Sequence, residues 1–295
     1  MKRIDFLATD GVILNGILYE TQEKTSDVIL AVHGMSSNCF RKRDEFISKK
    51  ANEVKVDYFC FNNRGSDLAR YLRKDINGER EKILGGTSYE DVVDSYEDIV
   101  GAILKLKELG YQNIYLQGHS LGCTKIVYTY NESKEEESQD LLQNIKGIIL
   151  LSLVDIPKSL KIYLGENFEK YLNLAEEKEQ EGKTLEMMPK EAFIHPVSVK
   201  TFLRYARDNK EIDFANFSQD TKLEKLNNID VPLFMRWGNT NEMIEQDAGQ
   251  LVDIVTNLIT NPNKDIDYID GADHGYTGKE EVLADQIIKF VTFNK

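Results

Sequence analysis

The stretch that decides the fold is Asn113-Ile114-Tyr115-Leu116-Gln117-Gly118-His119-Ser120-Leu121-Gly122-Cys123. A short apolar run ends in a Gly-x-Ser-x-Gly pentapeptide at 118–122. A serine on a sharp strand-to-helix turn is held in a strained backbone, with its hydroxyl projecting from the top of a sheet. Side chains two residues to either side would crowd that turn, so glycine suits both places. The pentapeptide gains weight only if a strand precedes it and a helix follows. It also needs an oxyanion donor upstream and an acid and a base downstream.

The surrounding chain supplies these contexts. Asp27-Val28-Ile29-Leu30-Ala31-Val32 is a continuous apolar run of the kind buried on both faces in a parallel sheet, and His33-Gly34-Met35 follows it directly. Tyr58-Phe59-Cys60-Phe61 reads as a strand running into Asn62-Asn63-Arg64-Gly65-Ser66. Behind the serine, Ile126-Val127-Tyr128-Thr129-Tyr130 is rich in β-formers, but its place after the turn predicts a helix. Residues 147–154, 231–237 and 265–269 are further strands, and residues 3–7 and 11–19 form two more around Thr9-Asp10-Gly11. Helices are expected at 41–53, from Ser88 to Gly110, at 242–259 and at the C-terminus. In the second of these, Ser88 and Asp91 stand at capping-box spacing.

Residues 156–225 break this rhythm. They contain Glu- and Lys-rich helical patterns without a buried-strand run and read as a mostly helical insertion. The expected architecture is therefore an α/β core, residues 1–155 and 226–295, with a mainly parallel sheet of eight strands covered on both faces. Active residues belong in loops at the carboxyl ends of the strands.

Composition narrows the function classes. The chain has 295 residues, 41% hydrophobic and 29% charged, as a folded globular protein would. No apolar run approaches the roughly 20 residues of a membrane span, and no apolar segment follows the basic start as in a secretory signal. Cys39, Cys60 and Cys123 are odd in number and widely spaced, which predicts reduced thiols in a cytoplasmic protein. A net charge of −13 argues against nucleic acid or an anionic membrane as partner. Metal-ligand spacings and phosphate-binding glycine loops are missing from the sequence, so no metal and no cofactor is expected.

Ser120, His33-Gly34-Met35, an acid after 231–237 and His274 after 265–269 each directly follow an expected strand, and the chain order is Ser, acid, His. At these residues the chain resembles the α/β-hydrolase superfamily of serine hydrolases, with 156–225 at the usual position of that family's cap. The resemblance implies Ser120 as nucleophile, His274 in Gly271-Ala272-Asp273-His274-Gly275 as general base, and the backbone N–H groups of Met35 and Leu121 as oxyanion hole. Where most of the family shows Gly-x-x-Asp, this chain has Gly238-Asn239-Thr240-Asn241, so the acid is placed at Glu242, with Asp155 as the alternative. Asp273 reads as a loop-capping residue and Cys123 as a small core residue. Arg64 is a candidate for binding an acidic substrate group, against a role pinning its loop.

Met188-Pro189, Pro196-Val197-Ser198 and Trp237-Gly238-Asn239 are similar to a poorly characterised group that includes fungal siderophore-ester hydrolases. These resemblances imply a small-molecule carboxylic ester as substrate. The alternatives are another acyl bond cleaved by the same triad, as in a peptidase, thioesterase or acyltransferase, and a non-catalytic binding protein on the same fold.

Overall fold

The computed structural model describes all residues except 136–138, 208–210 and 218–222. Eight strands form one sheet: β1 (Lys2–Leu7), β2 (Ile13–Tyr19), β3 (Asp27–Val32), β4 (Asp57–Asn62), β7 (Asn113–His119), β8 (Ile145–Leu151), β9 (Leu233–Gly238) and β10 (Lys264–Ile269). Their order is β1-β2-β4-β3-β7-β8-β9-β10. β2 pairs antiparallel with both its neighbours, and every pairing from β4 to β10 is parallel. The central strands β3 and β4 are buried at every residue, as the unbroken apolar runs require when both faces are covered.

One face carries α2 (Ser95–Glu108) and α3 (Leu121–Glu135), the other α1 (Lys42–Glu53) and α10 (Glu280–Phe293). The Ile126–Tyr130 stretch lies inside α3, where its β-branched and aromatic side chains are buried. Tertiary packing overrides propensity there.

Three details depart from expectation. Ser88 does not cap a helix: α2 is preceded by a 3₁₀ turn at Val92–Asp94, and Asp91 accepts the capping hydrogen bond from the Val93 N–H. Helix α9 (Ala248–Leu258) starts at Ala248 rather than 242, capped by Asp247, which leaves 242 in a loop. The third departure is an antiparallel hairpin, β5 (Arg70–Ile76) and β6 (Glu79–Gly85), outside the main sheet.

The inserted segment comprises α5 (Ile156–Leu164), α6 (Phe168–Gln180) and α7 (Val199–Ala206), packed around Leu160, Tyr171, Phe193, Phe202 and Tyr205. This cluster also takes in Leu121, the residue after Ser120. Phe214, Phe217, Leu223 and Leu226 pack instead into the main core.

Candidate active site

Ser120 lies between the end of β7 and the start of α3 with φ = 55°, a left-handed conformation that a serine seldom adopts. The turn can be this tight because of its close approaches. A Cβ on Gly122 would stand 2.2 Å from the Val32 carbonyl oxygen, and one on Gly34 would stand 2.9 Å from both the His119 carbonyl oxygen and the Ser120 Cβ. The two loops expected to hold the nucleophile and the oxyanion donors are therefore in direct contact. Leu121 is the first residue of α3, where a backbone N–H has no intrahelical acceptor.

His33 secures the Gly34-Met35 loop. Its Nδ1 donates to the Gly34 carbonyl at 2.8 Å, and its Nε2 accepts the Asn63 N–H at 3.3 Å. That pattern requires the neutral ring. Burial, aided by the nearby Lys125 ammonium, pulls its pKa down to about 3. Ser36, also in left-handed backbone, is held by its N–H to Thr87 Oγ1 at 2.7 Å and by its Oγ to His195 Nε2 at 3.1 Å. Through His195 the inserted segment touches the same loop.

His274 sits after β10 and is hydrogen-bonded through Nδ1 to Glu242 Oε1. The Glu242 side chain is 2% exposed and accepts three further bonds: from the Gly238 N–H at 2.9 Å, the Met243 N–H at 2.9 Å and the Ser152 hydroxyl at 2.7 Å. Burial alone would raise its pKa. The hydrogen bond and charge of His274, with those donors, outweigh burial and hold it below the usual carboxylate range. Asn241 precedes it in left-handed backbone, φ = 48°.

Behind this pair, His119 Nε2 donates to the His274 carbonyl at 2.7 Å and the Tyr276 hydroxyl donates to the Arg236 carbonyl at 2.8 Å, 3.1 Å from Ser152 Oγ. Burial first, then the charges of Arg43 and His274, keep His119 neutral. Ser152, His119 and Tyr276 were not singled out for support of the acid and base by the sequence. A polar residue directly after the buried run 145–151 is the one signal that pointed to Ser152.

The other candidates are elsewhere. Asp155 caps α5, accepting the Lys158 N–H at 3.0 Å, and opens on a neighbouring cavity with Lys158 and Glu245 rather than on His274. Arg64 does not reach the site either. Its guanidinium is engaged by the buried Asp98 at 2.7 Å and by Asp10 at 3.1 Å, which corrects the substrate-binding assignment to loop pinning. Asp273 caps its loop, accepting from the N–H groups of Gly275 and Thr277. The three cysteines are free and buried. Among the described residues, no cluster of His, Cys, Asp or Glu could hold a metal ion, and no helix is long and apolar enough to cross a membrane.

Ser120, Met35 and His274 line two cavities. One, of about 280 Å³, is mainly apolar and bounded by Leu121, Val154, Ile156, Leu160, Tyr163, Phe193, Ile194, His195 and Met243. The other, of about 430 Å³, lies on the α1 side and includes Arg41, Lys42, Arg43 and Glu280.

Residues 83–293, more than half the chain and including Ser120, Glu242 and His274, match the family described as Protein of unknown function (DUF1749). The chain belongs to this family. No curated protein matches it by sequence. Among solved structures, Est1E from Butyrivibrio proteoclasticus with bound ferulic acid aligns with a TM-score of 0.67 at 15% identity, over 98% of each chain. The α/β hydrolase GrgF from Penicillium sp. sh18 gives 0.67 at 13% identity, over 99% of this chain and 98% of that one. A soluble variant of monoglyceride lipase from Saccharomyces cerevisiae, in complex with a substrate analogue, gives 0.65 at 12% identity, over 98% and 94%. The DUF1749 chain has the α/β-hydrolase fold.

Proposed function

We propose that this DUF1749 protein is a serine hydrolase that cleaves carboxylic esters of small molecules through an acyl-enzyme on Ser120. The observation that carries the reading is the hydrogen bond of His274 Nδ1 to a buried Glu242, at a cavity that Ser120 also lines. With Nδ1 committed to the carboxylate, Nε2 is the nitrogen left to take the serine proton.

In the first half-reaction Ser120 Oγ attacks the carbonyl carbon as its proton passes to His274. The N–H groups of Met35 and Leu121 stabilise the oxyanion, and the alcohol leaves with the proton from His274. In the second, water attacks the acyl-enzyme by the same route and releases the acid. Glu242 keeps the imidazole oriented and stabilises its protonated form.

A relative named a monoglyceride lipase supports an ester as the substrate bond. The inserted segment acts as a cap, supplying Leu160 and Tyr163 from α5, and Phe193 and His195 from the stretch before α7, to the apolar cavity. A binding protein without turnover would have no use for an acid at His274. Asn241, where most of the superfamily carries the acid, is a left-handed turn residue, and the carboxylate beside His274 is that of Glu242. Hydrolysis of short-chain 4-nitrophenyl esters tests the reading: the wild type should turn them over and Ser120→Ala should not. Equal rates for the two proteins would refute it.

A further inference from the structure

The cavity on the α1 side of Ser120 differs chemically from the apolar one. Arg41, Lys42 and Arg43 are consecutive and all line it, beside Ser120 and His274. They sit at the start of α1, a helix of 12 residues whose N-cap has no side-chain acceptor. Its first N–H groups and dipole add positive potential at the same point.

Two of the three cations have unused hydrogen-bonding capacity. Arg43 is 6% exposed, and its buried Nε has no hydrogen-bond partner. That Nε is ion-paired at 3.4 Å with Asp44, whose carboxylate also accepts from the Tyr58 hydroxyl at 2.9 Å. A guanidinium this deep normally has a bonded acceptor. Arg41 uses Nε on Ser37 Oγ at 2.7 Å, and no other hydrogen bond or ion pair holds its side chain among the described residues. Lys42 is paired with Glu280 at 3.1 Å, the one acidic side chain lining the cavity. The two histidines there, His119 and His274, face it from β7 and from the loop after β10. Three cations face one acid in the lining of this cavity, with Asp44 paired to Arg43 and Glu242 to His274 behind it, in a chain whose net charge is −13.

We propose that this cavity is an anion subsite, so that the substrate is an ester with an apolar part on the cap side and an anionic oxyacid group, carboxylate or phosphate, on the α1 side. The subsite rests on the ester-hydrolase reading above. Arg41 and Arg43 hold the anion as hydrogen-bond donors, and Lys42 shares its charge between the anion and Glu280.

Two matched ester series test it. In one the acyl group varies: 4-nitrophenyl hexanoate against the free-acid 4-nitrophenyl monoester of adipic acid. In the other the leaving group varies: hexanoyl esters of 4-hydroxybenzamide, 4-hydroxybenzoate and 4-hydroxyphenyl phosphate. The wild type should favour an anionic member in at least one series, by about tenfold in kcat/KM, and added salt should erode that preference. Comparison of the benzoate and phosphate arms shows which oxyacid is preferred. Arg41→Gln/Lys42→Gln should collapse the anionic-to-neutral ratio toward unity, while Arg41→Lys/Lys42→Arg keeps much of it.

A ratio near unity in both series, or a preference untouched by Arg41→Gln/Lys42→Gln, overturns the subsite while leaving the esterase intact. If no ester is cleaved, the esterase reading itself fails, and thermal shift decides the subsite separately. Phenylphosphonate or benzoate should then raise the Tm of the wild type more than that of Arg41→Gln/Lys42→Gln, and equal shifts overturn it.

Discussion

Glu242 reaches His274 from one position beyond the usual acid, and the backbone accounts for the displacement. Asn241 takes a left-handed conformation that asparagine tolerates, and the carboxylate after it is gathered by Gly238, Met243 and Ser152. Removing its charge while keeping its shape should leave the fold and cripple the base. Glu242→Gln is expected to lower kcat by about 10³–10⁴, whereas Asp155→Asn, at a helix cap, should cost little turnover. Steady-state rates on one activated ester measure both, and the opposite ranking would move the acid to Asp155. In geometry, the strained turn at Ser120 and the position of Glu242, rather than Asn241, against His274 were legible in the sequence. The donors on Glu242 were not: Gly238 and Met243 reach it only through the turn at Asn241, and Ser152 comes from the end of β8, 90 residues away in the chain.

The buried histidines make a second prediction at this scale. His33 keeps its neutral form down to about pH 3, whereas an unfolded histidine takes up a proton below its ordinary 6.5. Between those values the unfolded state binds more protons, so stability rises with pH and is lost as pH falls through that window. For His33 the loss between about pH 7 and about pH 5 is roughly 2 kcal/mol, and His119 is shifted in the same sense. Urea midpoints at the two pH values measure it. His33→Gln should be less stable at neutral pH but show a flatter acid dependence, and an unchanged dependence would contradict the assignment.

At the scale of elements, α3 is tied to the loops before α2 and after β4 by a buried charge. Lys125, fully buried on α3, contacts Glu90 and Asn63, and Glu90 in turn packs under Gly65. Removing one partner leaves the other charged in the interior. Lys125→Met is therefore expected to destabilise the fold by about 3–5 kcal/mol, read as a fall in the urea midpoint. A change below about 1 kcal/mol would mean the pair is not buried as described.

Elements with a strong period or an unbroken apolar run were readable in advance, and those with mixed faces were not. Residues 70–85 carry charged runs at 73–75 and 79–82 with no alternating apolar face, on an exposed hairpin, which hides them among loops. Their turn, Asn77-Gly78 with φ of 54° and 89°, is nevertheless the strongest short hairpin signal in the chain. Ser88 failed as a cap because its hydroxyl is taken by the Pro196 carbonyl at 2.6 Å, a contact with the insertion that no local pattern reveals.

At the scale of the molecule, the proposed function divides the work: the insertion would select and the core would react. Its helices are anchored on the loop before α2: Ser198 N–H donates to the Ser88 carbonyl at 2.7 Å, and Thr201 Oγ1 to the Glu90 carbonyl at 2.9 Å. An apolar cavity of about 280 Å³ closed by Tyr163 and Phe193 should favour short and medium acyl chains. Across a series of 4-nitrophenyl esters, kcat/KM is expected to fall for long chains, and Phe193→Ala should move the optimum to longer ones. A preference for long chains in the wild type would contradict this account of the cap.

The claim on which all of this depends is that Ser120, on its strained turn between β7 and α3, is a nucleophile activated by His274 and Glu242. Covalent labelling with a fluorophosphonate, read by intact mass and peptide mapping, tests it most directly. The account predicts one adduct on Ser120, lost in Ser120→Ala and strongly slowed in His274→Ala. An unlabelled wild type, or equal labelling of Ser120→Ala, would contradict it.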